Sequence, residues 1–206
     1  MGPKLPIPLK KAPPPPPTKR ARQKGAFVFL LIGSFFLYVI LDSLSPHLPK
    51  FNDPPRLYAN QCQRDLRLTL LEAIDRAQES IHLVMFGLSD TPILSAIAKK
   101  AKEGLDVHVY YDPKGSAKLD LLLGDAHVHP IRNTGLMHQK ILVVDHETIF
   151  IGSANMTSSS LRMHDNLMVG FINQKAASFL EQKTPHHSGY LKTTVGGQEL
   201  EILLLP

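Results

Sequence analysis

The stretch Met137-His138-Gln139-Lys140-Ile141-Leu142-Val143-Val144-Asp145-His146-Glu147-Thr148-Ile149-Phe150-Ile151-Gly152-Ser153-Ala154-Asn155 decides how this chain is read. Ile141 to Val144 and Thr148 to Ile151 are short β-branched and apolar runs separated by a polar turn, the pattern of a hairpin. With His146-Glu147 as a two-residue turn, His138 lies across from Asn155 and Lys140 across from Ser153. Side chains two apart share one face of a strand, so His138 pairs in direction with Lys140, and Ser153 with Asn155. The expected product is a cradle for one small anion. His-Glu lacks the Gly or Asn that a tight primed turn prefers, and a longer connection shifts this pairing by a residue.

These residue types suit phosphodiester chemistry. Charge gathers on the equatorial oxygens of phosphorus in the transition state, so fixed cationic and amide donors contribute most there. Lys140 and Asn155 are the candidate donors, with Ser153 assisting. An imidazole changes protonation in the physiological range and serves as nucleophile or proton carrier, which makes His138 the reacting group. The pattern His138-x-Lys140-x-x-x-x-Asp145 is a weak signal alone. It gains specificity from Gly152-Ser153-Ala154-Asn155-Met156-Thr157 after a second strand, and from the further strand Asn166 to Phe171.

Together these segments resemble the HxKxxxxD and GSxN signature of the phospholipase D superfamily, over roughly residues 57–182 and with motif specificity in the final third. The resemblance implies an α/β fold, a mixed β-sheet flanked by helices on both faces. It implies that His138 attacks phosphorus to form a phosphohistidine while the histidine of a second motif protonates the leaving alcohol. No metal or other cofactor is implied. Asp145 is expected to support and orient the site, completing a catalytic set of His138, Lys140 and Asp145. One departure stands out: the family carries a carboxylate, commonly Glu, before the next strand, where this chain has Met163-His164-Asp165-Asn166. Asp165 is the expected substitute, with a shorter reach. A two-histidine mechanism in a one-motif chain implies either a homodimer or the front half of a two-motif protein. Leu200 to Pro206, an apolar strand, resembles the start of a second repeat, as Arg56 to Ala59 resembles the start of the first.

Outward from the motif, the rest divides by composition. Residues 1–24 hold seven basic residues, no acid and the run Pro13 to Pro17, which marks an irregular or polyproline tail. Gly25 to Leu41 is uncharged for 17 residues, about 26 Å as a helix, and is expected to be a transmembrane signal anchor. A cleaved signal peptide is the alternative, although Asp42 to Pro46 offers no clean cleavage site. Basic charge before the span places the N-terminus in the cytoplasm and the catalytic domain across the membrane, or outside the cell if the segment is cleaved. Residues 42–55 read as a linker, 56–182 as the catalytic domain, and 183–206 as a loop with a terminal strand.

The chain has 23 basic and 18 acidic residues; setting aside the seven bases of the tail leaves 16 against 18. A slightly acidic domain lacks the basic groove of a nuclease, which favours a phospholipid partner at a membrane over nucleic acid. A membrane-tethered endonuclease and a catalytically weakened interaction protein are the other two readings.

Helical spacing runs through Leu66, Leu70, Ala73, Ile74 and Ala77. A second helix begins at Thr91-Pro92 and closes at Gly104, and shorter ones fall at 117–123 and 175–181. Strands are expected at Ile81 to Phe86, Val107 to Tyr111 and Ala126 to His129. His127 and His129 alternate on a strand as two potential metal ligands with no third in the nearby sequence, so no metal site is assigned. His186-His187 reads as surface. Cys62, the single cysteine, excludes an internal disulfide.

Overall fold

A computed structural model describes residues 19–44, 46–60, 65–116, 118–132 and 135–205. The run Pro13 to Pro17, Cys62 and Ala117 lie outside these residues. Two units are distinguished, residues 1–45 and 46–206. In the first, α1 (Lys19–Leu44) is one helix of 26 residues. It therefore extends past the apolar stretch at both ends and takes in Lys19 to Lys24, which were expected in the irregular tail. Lys, Arg and Gln are good helix formers, and a helix propagates into them once an adjoining segment has nucleated it. Its large apolar side chains from Phe27 to Leu41 are exposed. Among the described residues, no helix is long and apolar enough to cross a membrane.

The second unit is built on a seven-stranded mixed sheet whose strands are β1 (Arg56–Ala59), β2 (Ser80–Met85), β3 (Asp106–Tyr111), β4 (His127–Pro130), β5 (Lys140–Val144), β6 (Thr148–Gly152) and β7 (Leu167–Ile172). Their order is β1-β7-β6-β5-β2-β3-β4. β2, β3 and β4 run parallel, and the remaining pairings are antiparallel. β2 and β5, side by side in the middle, are buried at every position, which is why Leu83 to Met85 and Ile141 to Val144 are consecutive apolar residues rather than alternating ones.

Helices cover both faces. On one lie α2 (Leu66–Arg76), α3 (Thr91–Lys102), α4 (Leu119–Leu122) and α5 (Ser158–Arg162), packed on Leu83, Met85, Val109, Leu142, Val144 and Phe150. On the other, α6 (Gln174–Lys183) and a hairpin of β8 (Gly189–Val195) and β9 (Gln198–Leu204) cover Val84, Ile141, Val143, Ile149 and Phe171. Residues expected as a loop before the terminal strand thus include β8. β9 pairs with β8, outside the large sheet, and seats Ile202 and Leu204 in the second core. The terminal strand is thus one half of a hairpin. At α3 the capping residue is Asp90, whose carboxylate accepts from Ile93 N–H; Thr91 is the first helical residue. Gly104, at φ 92°, follows the C-cap as expected.

The β5–β6 register is Ile141↔Ile151 to Val144↔Thr148, one residue from the sequence expectation. The connection has three residues, Asp145 to Glu147, and both Asp145 and His146 are left-handed, at φ 52° and 55°. The pairs His138 with Asn155 and Lys140 with Ser153 therefore do not form; His138 precedes the strand in a loop.

Candidate active site

One end of the sheet gathers the motif side chains: the C-terminal ends of β2 and β6 and the N-terminal end of β5. Crevices at the carboxyl ends of parallel strands are recurrent ligand sites in α/β folds. Lys140 opens β5 and is 4% exposed. Its Nζ donates to the His138 carbonyl oxygen at 2.8 Å and lies 5.5 Å from the centre of the Phe86 ring. Burial strips water from the ammonium and pushes its pKa down to about 8. The His138 ring is exposed and tilted against the same Phe86, centroids 5.3 Å apart. Phe86 is thus the floor on which nucleophile candidate and cation meet, a role no sequence pattern announces.

The loop that carries His138 is held by Asp112. This carboxylate, 2% exposed at the end of β3, accepts from Met137 N–H at 3.0 Å and from Lys114 N–H at 2.8 Å. Met137 is buried in the second core, so the residue before His138 is fixed by both packing and a charge-assisted hydrogen bond.

Across the crevice, Asn155 Oδ1 accepts from Gly87 N–H at 3.1 Å, and its backbone N–H donates to Ser160 Oγ at 2.9 Å. This bond sets the carboxamide so that Nδ2 remains a donor without a partner among the described residues. Gly152 ends β6 close against β7, where a Cβ would stand 2.2 Å from the Leu167 carbonyl oxygen. Ser153 is exposed and used structurally. Its Oγ donates to Asn166 Oδ1 at 3.0 Å and accepts from Leu167 N–H at 3.1 Å. Asn166 also donates to Ser160, at 3.0 Å to the carbonyl and 2.9 Å to Oγ. Asp165 lies exposed on the loop before β7, and the side chain that reaches Ser153 is its neighbour Asn166.

Asp145 stands apart from this group. It follows the far end of β5, five residues or roughly 16 Å from Lys140 along an extended strand. There its carboxylate accepts from the N–H groups of Gln78, Glu79 and Ser80 at 2.8 to 3.1 Å, and its own N–H donates to the Ser80 carbonyl at 3.0 Å. It locks the β5–β6 turn to the turn entering β2. His138 and Lys140 both lie against Phe86, and Asn155 binds the next residue, Gly87, so the three reach one short segment at this end of the sheet; Asp145 lies at the other end of β5.

The histidines off the motif have company that the sequence did not show. His108 and Asp106 of β3 lie beside His127 of β4, which corrects the reading that His127 and His129 lack a third potential ligand.

The sequence pattern of the family described as "Cardiolipin synthase, PLD-like domain" matches residues 70–187, more than half of the chain. A phospholipase D of Rickettsia felis is 28% identical over 114 residues, covering 52% of this chain and 57% of that protein. A probable cardiolipin synthase of Bacillus subtilis is 28% identical over 121 residues, covering 53% of this chain and 24% of the other. This chain therefore spans little more than half the length of the rickettsial relative. Among solved structures, Nuc of Salmonella typhimurium, described as a phospholipase D family member, aligns with a TM-score of 0.56 at 25% identity, over 63% of this chain and 90% of its own. NucT of Helicobacter pylori aligns with the same TM-score at 20% identity, over 63% and 91%.

Proposed function

The chain belongs to the phospholipase D superfamily, and on that premise we propose that it is a phosphodiesterase acting on a phospholipid head group through a phosphohistidine. The observation that carries this reading is the buried Lys140 ammonium. It is bound to the backbone of His138 and set against the same Phe86 ring as the His138 imidazole, while the Asn155 amide is anchored on the adjoining Gly87.

In the first step a ring nitrogen of His138 bonds to phosphorus as the bond to the head-group alcohol breaks, and that alcohol leaves with a proton from a second histidine. In the second step water, or another alcohol, gives a proton to the second histidine, now neutral, and attacks phosphorus, and the nitrogen–phosphorus bond breaks to free His138. Lys140 Nζ and Asn155 Nδ2 hold the equatorial oxygens throughout, an arrangement worth about 3 kcal/mol per well-aimed donor. The second histidine comes from a second copy of this chain or from a second motif-bearing half. The slightly acidic balance beyond the basic tail supports lipid over nucleic acid. The exposed apolar side chains of α1 support a membrane anchor with its basic end in the cytoplasm.

The test is incubation of the full chain with vesicles of labelled phosphatidylcholine or cardiolipin and, separately, single-stranded DNA, with chelator present. Release of head group or phosphatidate that disappears in His138→Asn supports the proposal. Cleavage of DNA alone transfers the same chemistry to nucleic acid, and inertness of the assembled protein on all three substrates overturns the enzymatic reading.

A further inference from the structure

A second chemical feature lies on the part of the sheet that α6 and the β8–β9 hairpin leave uncovered. Along β3, Val107, Val109 and Tyr111 face the first core, while Asp106, His108 and Tyr110 face the other way and are exposed or half-buried. On β4, His127 and His129 share that outward side, because parallel pairing sets His108 beside His127 and Tyr110 beside His129. His82 of β2 pairs with His108 in turn, so one rung of the sheet carries three histidines on adjacent strands. A solvated sheet face needs only polar side chains, and nothing in the fold requires imidazoles here.

The geometry is that of a metal-ligand set. Asp106, His108 and His127 each offer one donor atom, and these atoms lie within 4.8 Å of one another. The closest approach is His108 Nε2 to Asp106 Oδ1 at 3.1 Å. Ligand atoms around a tetrahedral zinc stand about 3.3 Å apart, given bonds of about 2.0 Å, so His127 has only a small rotation to make. The remaining nitrogen of His108, Nδ1, is 3.2 Å from His129 Nε2. With Nε2 given to a metal, Nδ1 carries the proton and donates it to His129, the outer contact that fixes a ligating imidazole in its tautomer. The rings of His108 and His129 are nearly parallel, at 4°.

We propose that Asp106, His108 and His127 bind a divalent transition metal of the zinc class, with His129 orienting His108, at a site separate from the phosphodiester crevice. Two imidazoles and a carboxylate suit zinc and its neighbours and disfavour magnesium and calcium. The ligands bridge β3 to β4, the four-residue strand at the open edge of the sheet. A bound ion cross-links that edge strand to its neighbour through the sheet face. The site needs nothing from the catalytic reading and stands or falls without it.

The test uses the full chain freed of metal, titrated with zinc against a competing chelator, and with cobalt(II) as a spectroscopic probe. The proposal expects one zinc per chain, a tetrahedral cobalt spectrum, and a thermal midpoint that rises with zinc concentration. His127→Ala and Asp106→Asn, both at exposed positions, should lose the stoichiometric binding and the cobalt spectrum while the metal-free midpoint stays the same. His129→Ala should weaken binding about 10- to 100-fold. The paired variant His47→Ala with His164→Ala, both exposed on segments away from β3 and β4, is the control for adventitious histidines and should change nothing. Binding that survives His127→Ala and Asp106→Asn, or that is lost in the His47/His164 control, overturns the assignment, as does a protein that takes up no zinc.

Discussion

The two ends of β5 are made of the same motif and do opposite work. At the entry, Lys140 is a buried cation with one backbone partner, set under an exposed histidine whose loop is tethered by Asp112. At the exit, Asp145 is a carboxylate saturated by three backbone N–H groups from a turn more than sixty residues earlier in the chain. Among the described residues the first end keeps its ammonium buried without a carboxylate, a costly arrangement that the proposed phosphate substrate would offset with its own charge. The second end spends its charge entirely on the fold. A motif that is continuous in sequence is therefore two devices in space, at opposite ends of one buried strand.

Substitutions at the two ends should separate rate from stability. The largest effect belongs to His138→Asn, which removes the attacking nitrogen. Turnover should fall by about 10³-fold or more, while the melting transition barely moves, because the side chain is exposed. Next comes Lys140→Met, which keeps the stem and deletes the charge. Steady-state kinetics should show a loss of about 10²- to 10³-fold, and thermal denaturation should show stability unchanged or raised, since a buried ammonium without a carboxylate partner costs the folded state. Asp145→Gly is the mirror case: glycine suits the left-handed backbone, so the variant reports on the carboxylate alone. Denaturant unfolding should reveal a loss of about 2 kcal/mol, with activity per folded molecule within tenfold of the parent. A variant in which Asp145→Gly kills turnover at full stability would erase the distinction between the ends.

A smaller effect sharpens the same contrast. Because burial lowers Lys140 to about 8, its charge is present below that pH and lost above it. The plot of kcat/KM against pH should accordingly bend downward near pH 8, about two units below an ordinary lysine. Lys140→Arg, which stays cationic, should remove that limb even if it lowers the plateau.

The hairpin at the heart of the site was legible because both strands are apolar runs of the right length, and the fold class followed from the alternation around it. Its register was not legible. The third turn residue is admitted by left-handed conformations at Asp145 and His146, which non-glycine residues do not advertise. Asp145 was visible as a motif member, but its partners at Gln78 to Ser80 belong to another turn, and local pattern carries no information about them. α5 is five residues long, below any helical period, and β8 was hidden among the turn residues around it. Phe86, Gly87, Asp112 and Asn166 entered the site only through the packing of chain ends that the sheet brings together. The rung of His82, His108 and His127 illustrates the same limit. Twenty or more residues separate His82 from His108, and nearly as many separate His108 from His127; parallel register alone places them side by side.

In the proposed reaction His138 itself takes the phosphoryl group. Quenching the full chain with alkali during turnover of a phosphorus-labelled substrate, followed by peptide mapping, tests it most directly. An alkali-stable, acid-labile label should appear on His138 and be absent from His138→Asn. Sustained turnover with no trapped label, or a label mapped to another residue, would contradict it.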